Sequence, residues 1–191
     1  MILTAEHKRT LLLIAWDEIQ GYLKKEDRDK KLDIDIPEEL RTKCGAFVSI
    51  YVKDKLRGCI GTFSEEVSLF KNVRRMSYSA AAHDNRFPAI KLDEAGHIKI
   101  EISVLSPKMA IKGPEEIEIG KHGIFMELGN HRGTLLPQVA MEQKWSVEEF
   151  LGNCAQYKAG LDWDGWKAAR IYTYEASIFS SGKRDGIVNL S

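Results

Sequence analysis

The chain has 191 residues, of which 43% are apolar and 29% charged, enough apolar side chains for a real core in one domain or two subdomains. Lys plus Arg and Asp plus Glu number 28 each, and this balance argues against a general nucleic-acid binder, which would carry a basic excess or stripe. The apolar run near the start, LLLIAW at 11–16, is too short for a signal-peptide core or a membrane span, so a soluble, cytoplasmic chain away from membranes is expected.

In chain order, residues 4–23 read as a helix, with Leu12, Trp16, Ile19 and Leu23 at helical spacing and Thr4 as N-cap. The mixed-sign run KKEDRDKKLDIDIPEEL at 24–40 reads as a solvated loop. CGAFVSIYVKDKLRGCIGTF at 44–63 reads as a hairpin turning near Asp54-Lys55. Ala46, Val48, Ile50 and Val52 fall on one face of its first strand, and Phe47, Ser49 and Tyr51 on the other. On its second strand Leu56, Gly58 and Ile60 share a face, opposite Arg57, Cys59 and Gly61.

Ser64 opens a helix expected over 65–82, with Leu69, Val73, Met76 and Ala80 on its apolar side. Pro88 pushes Phe87 out of the helical region beyond it. HIKIEISVL at 97–105 alternates as a strand with one buried face. EEIEIGKHGIFMELGNHRGTLL at 115–136 holds two or three short strands, and Pro137 starts a short helix. Ser146 and Glu149 form a capping box for a helix carrying Val147, Phe150, Leu151 and Cys154, which Gly160 stops. A last strand spans about 169–179, followed by a polar tail. Hairpins interspersed with helices give an α+β class, an antiparallel sheet flanked by helices.

The candidate chemistry centres on Cys59. Residues i and i+2 of a strand lie about 6.6 Å apart on one face, so Arg57 stands beside Cys59. A positive charge at that distance favours an anion by about 0.6 kcal/mol in water and about 2.5 kcal/mol at an effective dielectric near 20. The thiolate is the nucleophilic form of cysteine, and Gly58 and Gly61 remove side chains that would cover it. Against this, free cysteine is often a small core residue. Register leaves both readings open: a two-residue turn at Asp54-Lys55 sets Cys59 across from Ile50, and a turn one residue longer brings Ser49 and Tyr51 near instead.

The three cysteines are odd in number and widely spaced, which argues against a disulfide framework and fits free thiols. Cys154 lies on an apolar helical stripe and reads as core; Cys44 shows no partner. Among the five histidines, His122 between short strands in GKHGIF is the candidate acid or base. His83 suits a helix C-terminus, and His7, His97 and His131 carry no specific signal. Glu101, on the polar face of a core strand, is a second candidate base or a partner for Arg57. Arg86 could bind an anionic group or pair with Asp84. No spacing of histidines or cysteines suits a metal, and no glycine-rich phosphate loop suits a nucleotide, so no cofactor is expected.

GAFVSIYVKDKLRGCIGTF, DNRFP, IEISVLSP, GKHGIFME, LLPQVA and FLGNCAQYKAGL occur in an order that resembles the AMMECR domain family, over about 175 residues. The LRGCIG hexapeptide, that family's signature, stands unchanged at Leu56–Gly61. Asn85 takes the place of a more usual proline, which loosens the turn but keeps Asp84, Arg86 and Phe87. Prokaryotic members are called AmmeMemoRadiSam system protein A, after association with a Memo-like protein and a radical SAM protein. The resemblance implies two subdomains, the larger containing both termini, with a cleft between them near the hexapeptide. It implies no settled reaction. Two functions follow as expectations: a cysteine-dependent enzyme with Cys59 as nucleophile or redox centre, Arg57 as activator and anion binder, Arg57, Gly58, Gly61 and Arg86 binding substrate, and His122 or Glu101 moving the proton; or a non-catalytic module that receives a partner protein or its substrate.

Overall fold

A computed structural model describes residues 2–26 and 32–181. They divide into two compact units. The first comprises the chain up to Val104 together with the segment from Ser177 on; the second is Leu105–Ala176. Part of the charged run at 24–40 and the polar tail lie outside the described residues.

In the first unit, α1 (Ala5–Lys24) starts at Thr4, whose hydroxyl accepts the His7 backbone N–H, while the His7 ring accepts the Thr4 N–H. Strands β1 (Ala46–Val52) and β2 (Lys55–Thr62) form the expected hairpin, and α2 (Leu69–Ala82) follows. The turn lies one residue earlier than the sequence suggests. Lys53 and Asp54 both adopt positive φ, 51° and 62°, as a two-residue hairpin turn that matches strand twist requires. Helix α2 also starts later than Ser64, at an N-cap on Ser68. Ser64 instead accepts the Glu66 N–H, and the buried Asn72 amide donates to the carbonyls of Cys44, Ser64 and Val67. These bonds hold the segment after the hexapeptide in a non-helical path.

Strands β3 (Ile98–Leu105) and β8 (Ala176–Ser180) complete a four-stranded sheet in the order β2-β1-β3-β8. One face is apolar throughout: Ala46, Val48, Ile50 and Val52 of β1 and Ile100, Ile102 and Val104 of β3 are buried in one cluster with Leu11, Ile14, Ile19, Leu69 and Val73 of the helices. Alternation placed these residues on one side, and their burial fixes the register against slippage.

The second unit has its own sheet, in the order β4 (Met109–Ala110), β7 (Arg170–Tyr174), β5 (Gly123–Leu128), β6 (His131–Leu135). Helices α3 (Pro137–Gln143) and α4 (Val147–Cys154) follow β6 in the chain. The Ser146–Glu149 capping box forms as the sequence requires. A five-residue π-helix, Ala155–Ala159, extends α4 to Gly160, whose φ of +68° ends it. Ile124, Met126, Phe150, Leu151 and Cys154 make its core. The single strand expected over 169–179 is two strands, β7 in the second sheet and β8 in the first, separated by Glu175. A continuous β-forming pattern carries no mark of a change of sheet.

Candidate functional site

The hexapeptide lies on β2, the terminal strand of the first sheet. Pairing runs Val52↔Lys55 and Tyr51↔Leu56, then shifts, so that Ile50 faces Gly58 and Ser49 faces Cys59. Arg57 is the extra residue of a β-bulge, which re-aims its side chain. Its guanidinium pairs with Glu94 and donates to the Pro88 carbonyl at 3.0 Å. The bulge also moves Leu56 onto the face of Tyr51, away from Gly58 and Ile60.

The backbone of Cys59 turns to the open edge of the sheet. Its N–H donates to Asp84 Oδ2 at 2.8 Å, and its carbonyl accepts from Arg86 Nη2 at 2.8 Å. Ser49 and Cys59 are therefore a non-hydrogen-bonded pair, the kind that brings side chains closest. The Ser49 hydroxyl donates to the Cys59 sulfur at 3.2 Å. Ser49 in turn faces Glu101 on β3, so Cys59, Ser49 and Glu101 form one row across three strands. Ser49 is buried, and Cys59 and Glu101 are half-buried.

The glycines serve close approach. A Cβ at Gly58 would stand 2.0 Å from the Ala80 carbonyl oxygen of α2, and one at Gly61 2.1 Å from the Phe47 ring. Phe47 faces Gly61 in the ladder and covers it, as aromatic residues do for strand glycines.

Asp84 and Arg86 form a two-point ion pair, Nε to Oδ1 at 2.9 Å and Nη2 to Oδ2 at 2.7 Å. These bonds from Arg86, joined by the Cys59 N–H, outweigh burial and hold the Asp84 carboxyl at about 2. The same pairing raises Arg86 above its ordinary value. Burial pushes Glu94 up, but the Lys91 N–H and Arg57 more than offset it and hold it below the usual carboxylate range.

The first unit thus brings together Arg57, Gly58, Cys59, Gly61, Arg86 and Glu101. His122 belongs to the second unit, where its Nδ1 accepts the Glu118 N–H at 3.1 Å within its own turn. Cys154 is fully buried, and burial pushes its thiol up to about 12; burial likewise raises Cys44. Two further residues enter the site: Ser49, which contacts Cys59, and Glu94, which pairs with Arg57. Ser49 was visible as a polar residue on the outer face of β1; Glu94 carried no signal, because only the fold brings it to Arg57.

The arrangement limits the chemistry. The Cys59 N–H is held by Asp84, so it is not a free donor for an oxyanion forming beside its own sulfur. Such charge would have to meet the Ser49 hydroxyl or Arg86 Nη1, which makes no hydrogen bond among the described residues. Among those residues, no group of three or more His, Cys, Asp or Glu side chains could hold a metal ion, and no helix is long and apolar enough to cross a membrane.

Comparison with known proteins places this architecture. The AMMECR1 family model matches residues 12–179. Protein MJ0810 of Methanocaldococcus jannaschii is 37% identical, the alignment covering 98% of this chain and 96% of that protein. Protein MK0488 of Methanopyrus kandleri is 40% identical, with 97% and 94% covered. The crystal structure of Uncharacterized Protein PH0010 from Pyrococcus horikoshii superposes with a TM-score of 0.83 at 35% identity, over 90% of this chain and 89% of that one. The α+β chain with LRGCIG on its edge strand belongs to the AMMECR1 family.

Proposed function

We propose that the protein is a cysteine-dependent group-transfer enzyme acting at the Cys59–Ser49–Glu101 row. The observation that carries this reading is the Ser49 hydroxyl donating to the Cys59 sulfur on a half-buried sheet face. A hydroxyl donor stabilises sulfur when it is anionic, the form that attacks. In the step, the sulfur bonds to the transferred carbon and the leaving group departs with its electron pair and the thiol proton: Cys–SH + R–X gives Cys–S–R + HX. On this reading Glu101, beyond Ser49 in the row, carries that proton. Arg86, more than half exposed beside the Cys59 carbonyl, suits an anionic group on the substrate. Arg57 acts here through Glu94 and Pro88, holding the strand. Cysteines left as free thiols suit a reducing, cytoplasmic setting.

Iodoacetamide at neutral pH, followed by peptide mass analysis, tests the reading. Cys59 should be modified at least roughly tenfold faster than the buried Cys44 and Cys154. Ser49→Ala should slow modification of Cys59 by about tenfold, since a hydrogen bond to a charged acceptor is worth about 1.5–3 kcal/mol. Equal, negligible modification of all three thiols in the folded protein would sink the reading.

A second reading rests on a different observation: Arg57, Gly58, Gly61 and the backbone of Cys59 are all committed to contacts that shape the fold. On that reading the hexapeptide is architecture for an accessory module, serving the Memo-like and radical SAM partners that the family resemblance implies. A complementation assay separates the two. Cys59→Ser leaves cellular function intact for a module and abolishes it for the enzyme, while Gly58→Val impairs both.

A further inference from the structure

We infer that Asp84 and Arg86 act together as positioning residues for the Cys59 thiol, an inference that rests on the cysteine chemistry proposed above. Among the described residues, the Cys59 peptide at the edge of β2 has no neighbouring strand on its outer side. Asp84 accepts its N–H and Arg86 donates to its carbonyl, both at 2.8 Å, which is what a further strand would do there. The two side chains are locked to each other at 2.7 and 2.9 Å, so they hold Cys59 as one rigid clamp. The Arg86 backbone N–H also donates to Asp84 Oδ1, at 3.2 Å.

The same loop grips β2 a second time, because Arg57 donates to the Pro88 carbonyl. Cys59 is thereby held on one side by DNRFP and on the other by Ser49, two residues past the bulge at Arg57. Fixing the peptide fixes the direction of its Cα–Cβ bond, and with it the 3.2 Å contact between the sulfur and Ser49. The clamp has its own chemical consequence: it uses the Cys59 N–H and carbonyl, leaving the sulfur as the group of that residue free to react.

A double-mutant cycle on Cys59 modification by iodoacetamide tests this, because it reads the coupling between Asp84 and Ser49 and not stability alone. In the wild-type background Ser49→Ala slows modification about tenfold. In the Asp84→Ala background the same change should alter the rate less than about twofold, since the donor no longer meets a fixed sulfur. The same tenfold effect in both backgrounds overturns the positioning role. Should Asp84→Ala fail to fold, Arg86→Lys replaces it, keeping the charge but losing the planar fork that makes the two-point pair. There the Ser49→Ala effect should fall to roughly threefold, and an undiminished effect overturns the proposal. Wild-type Cys59 that does not react at all overturns the cysteine chemistry itself, and the positioning role with it, an outcome distinct from a reactive Cys59 with uncoupled Asp84.

Discussion

Gly58→Ala is expected to destabilise the first unit by about 3 kcal/mol and to lower its thermal midpoint by roughly 10 °C. The added Cβ would stand 2.0 Å from the Ala80 carbonyl oxygen and 2.9 Å from its carbon. The obstacle is helix backbone, so no side-chain rotation relieves it. Either β2 moves off α2, opening space beside the buried Val73, Met76 and Ala80, or the last turn of α2, which carries Ala80, is pushed out of place. Both routes lose close packing along the edge strand. Calorimetry or circular dichroism melts of Gly58→Ala measure the loss. Gly96→Ala is the control, because a Cβ there meets nothing within 4 Å. Equal midpoints for the two variants would mean that β2 can shift freely and that the hexapeptide glycine is not needed for packing.

That contact also shows what the sequence could and could not reveal. Strict alternation in AFVSIYV and IKIEISV marked the buried faces, since burial on one side of a strand imposes a period of two. The capping residues Thr4 and Ser146 marked two helix starts, because orphan N–H groups there need an acceptor. The helix start near Ser64 was misplaced, as the bonds from Asn72 to three carbonyls are made across the fold. The bulge at Arg57 was equally hidden. It arises from a turn at Lys53-Asp54 combined with the Ser49↔Cys59 pairing, and neither alone is written in local residue types. Simple alternation set Arg57 beside Cys59, whereas the bulge hands its charge to Glu94. Cys59 itself was legible as the candidate; its donor Ser49 and its clamp depended on register and on a loop 25 residues away in sequence.

These findings change the electrostatic picture of the hexapeptide. A cation beside a thiol was the simplest reading of Arg-x-Cys, yet Arg57 has a carboxylate partner of its own and Arg86 has another in Asp84. Two neutralised ion pairs flank Cys59. The groups that address the sulfur directly are then the Ser49 hydroxyl and whatever a substrate brings, which is why Ser49 and not Arg57 is the informative substitution.

Asp84→Asn should narrow the acid stability of the protein in a way that identifies the clamp. In the folded chain Asp84 ionises at about 2, against an ordinary value of 3.8. A carboxylate with a depressed folded value contributes stability that is fully present above its unfolded value and is lost as pH falls through the folded one. The wild type should therefore exceed Asp84→Asn by a constant margin from pH 7 to about 5, on the order of 2 kcal/mol for a charged hydrogen-bonded group. The margin should shrink between about pH 4 and pH 2, where protonation leaves the wild-type side chain as neutral as the amide. Urea midpoints of both proteins at pH 7, 5, 4 and 3 measure it. Arg86→Gln supplies the complementary arm: it removes the main cause of the depression, so the folded value of Asp84 moves back towards 3.8 and the acid-dependent loss should be smaller than in the wild type. A margin independent of pH would place the stabilisation in packing around Asp84 instead of in its charge, and the edge of β2 would then be held by shape and not by the ion pair.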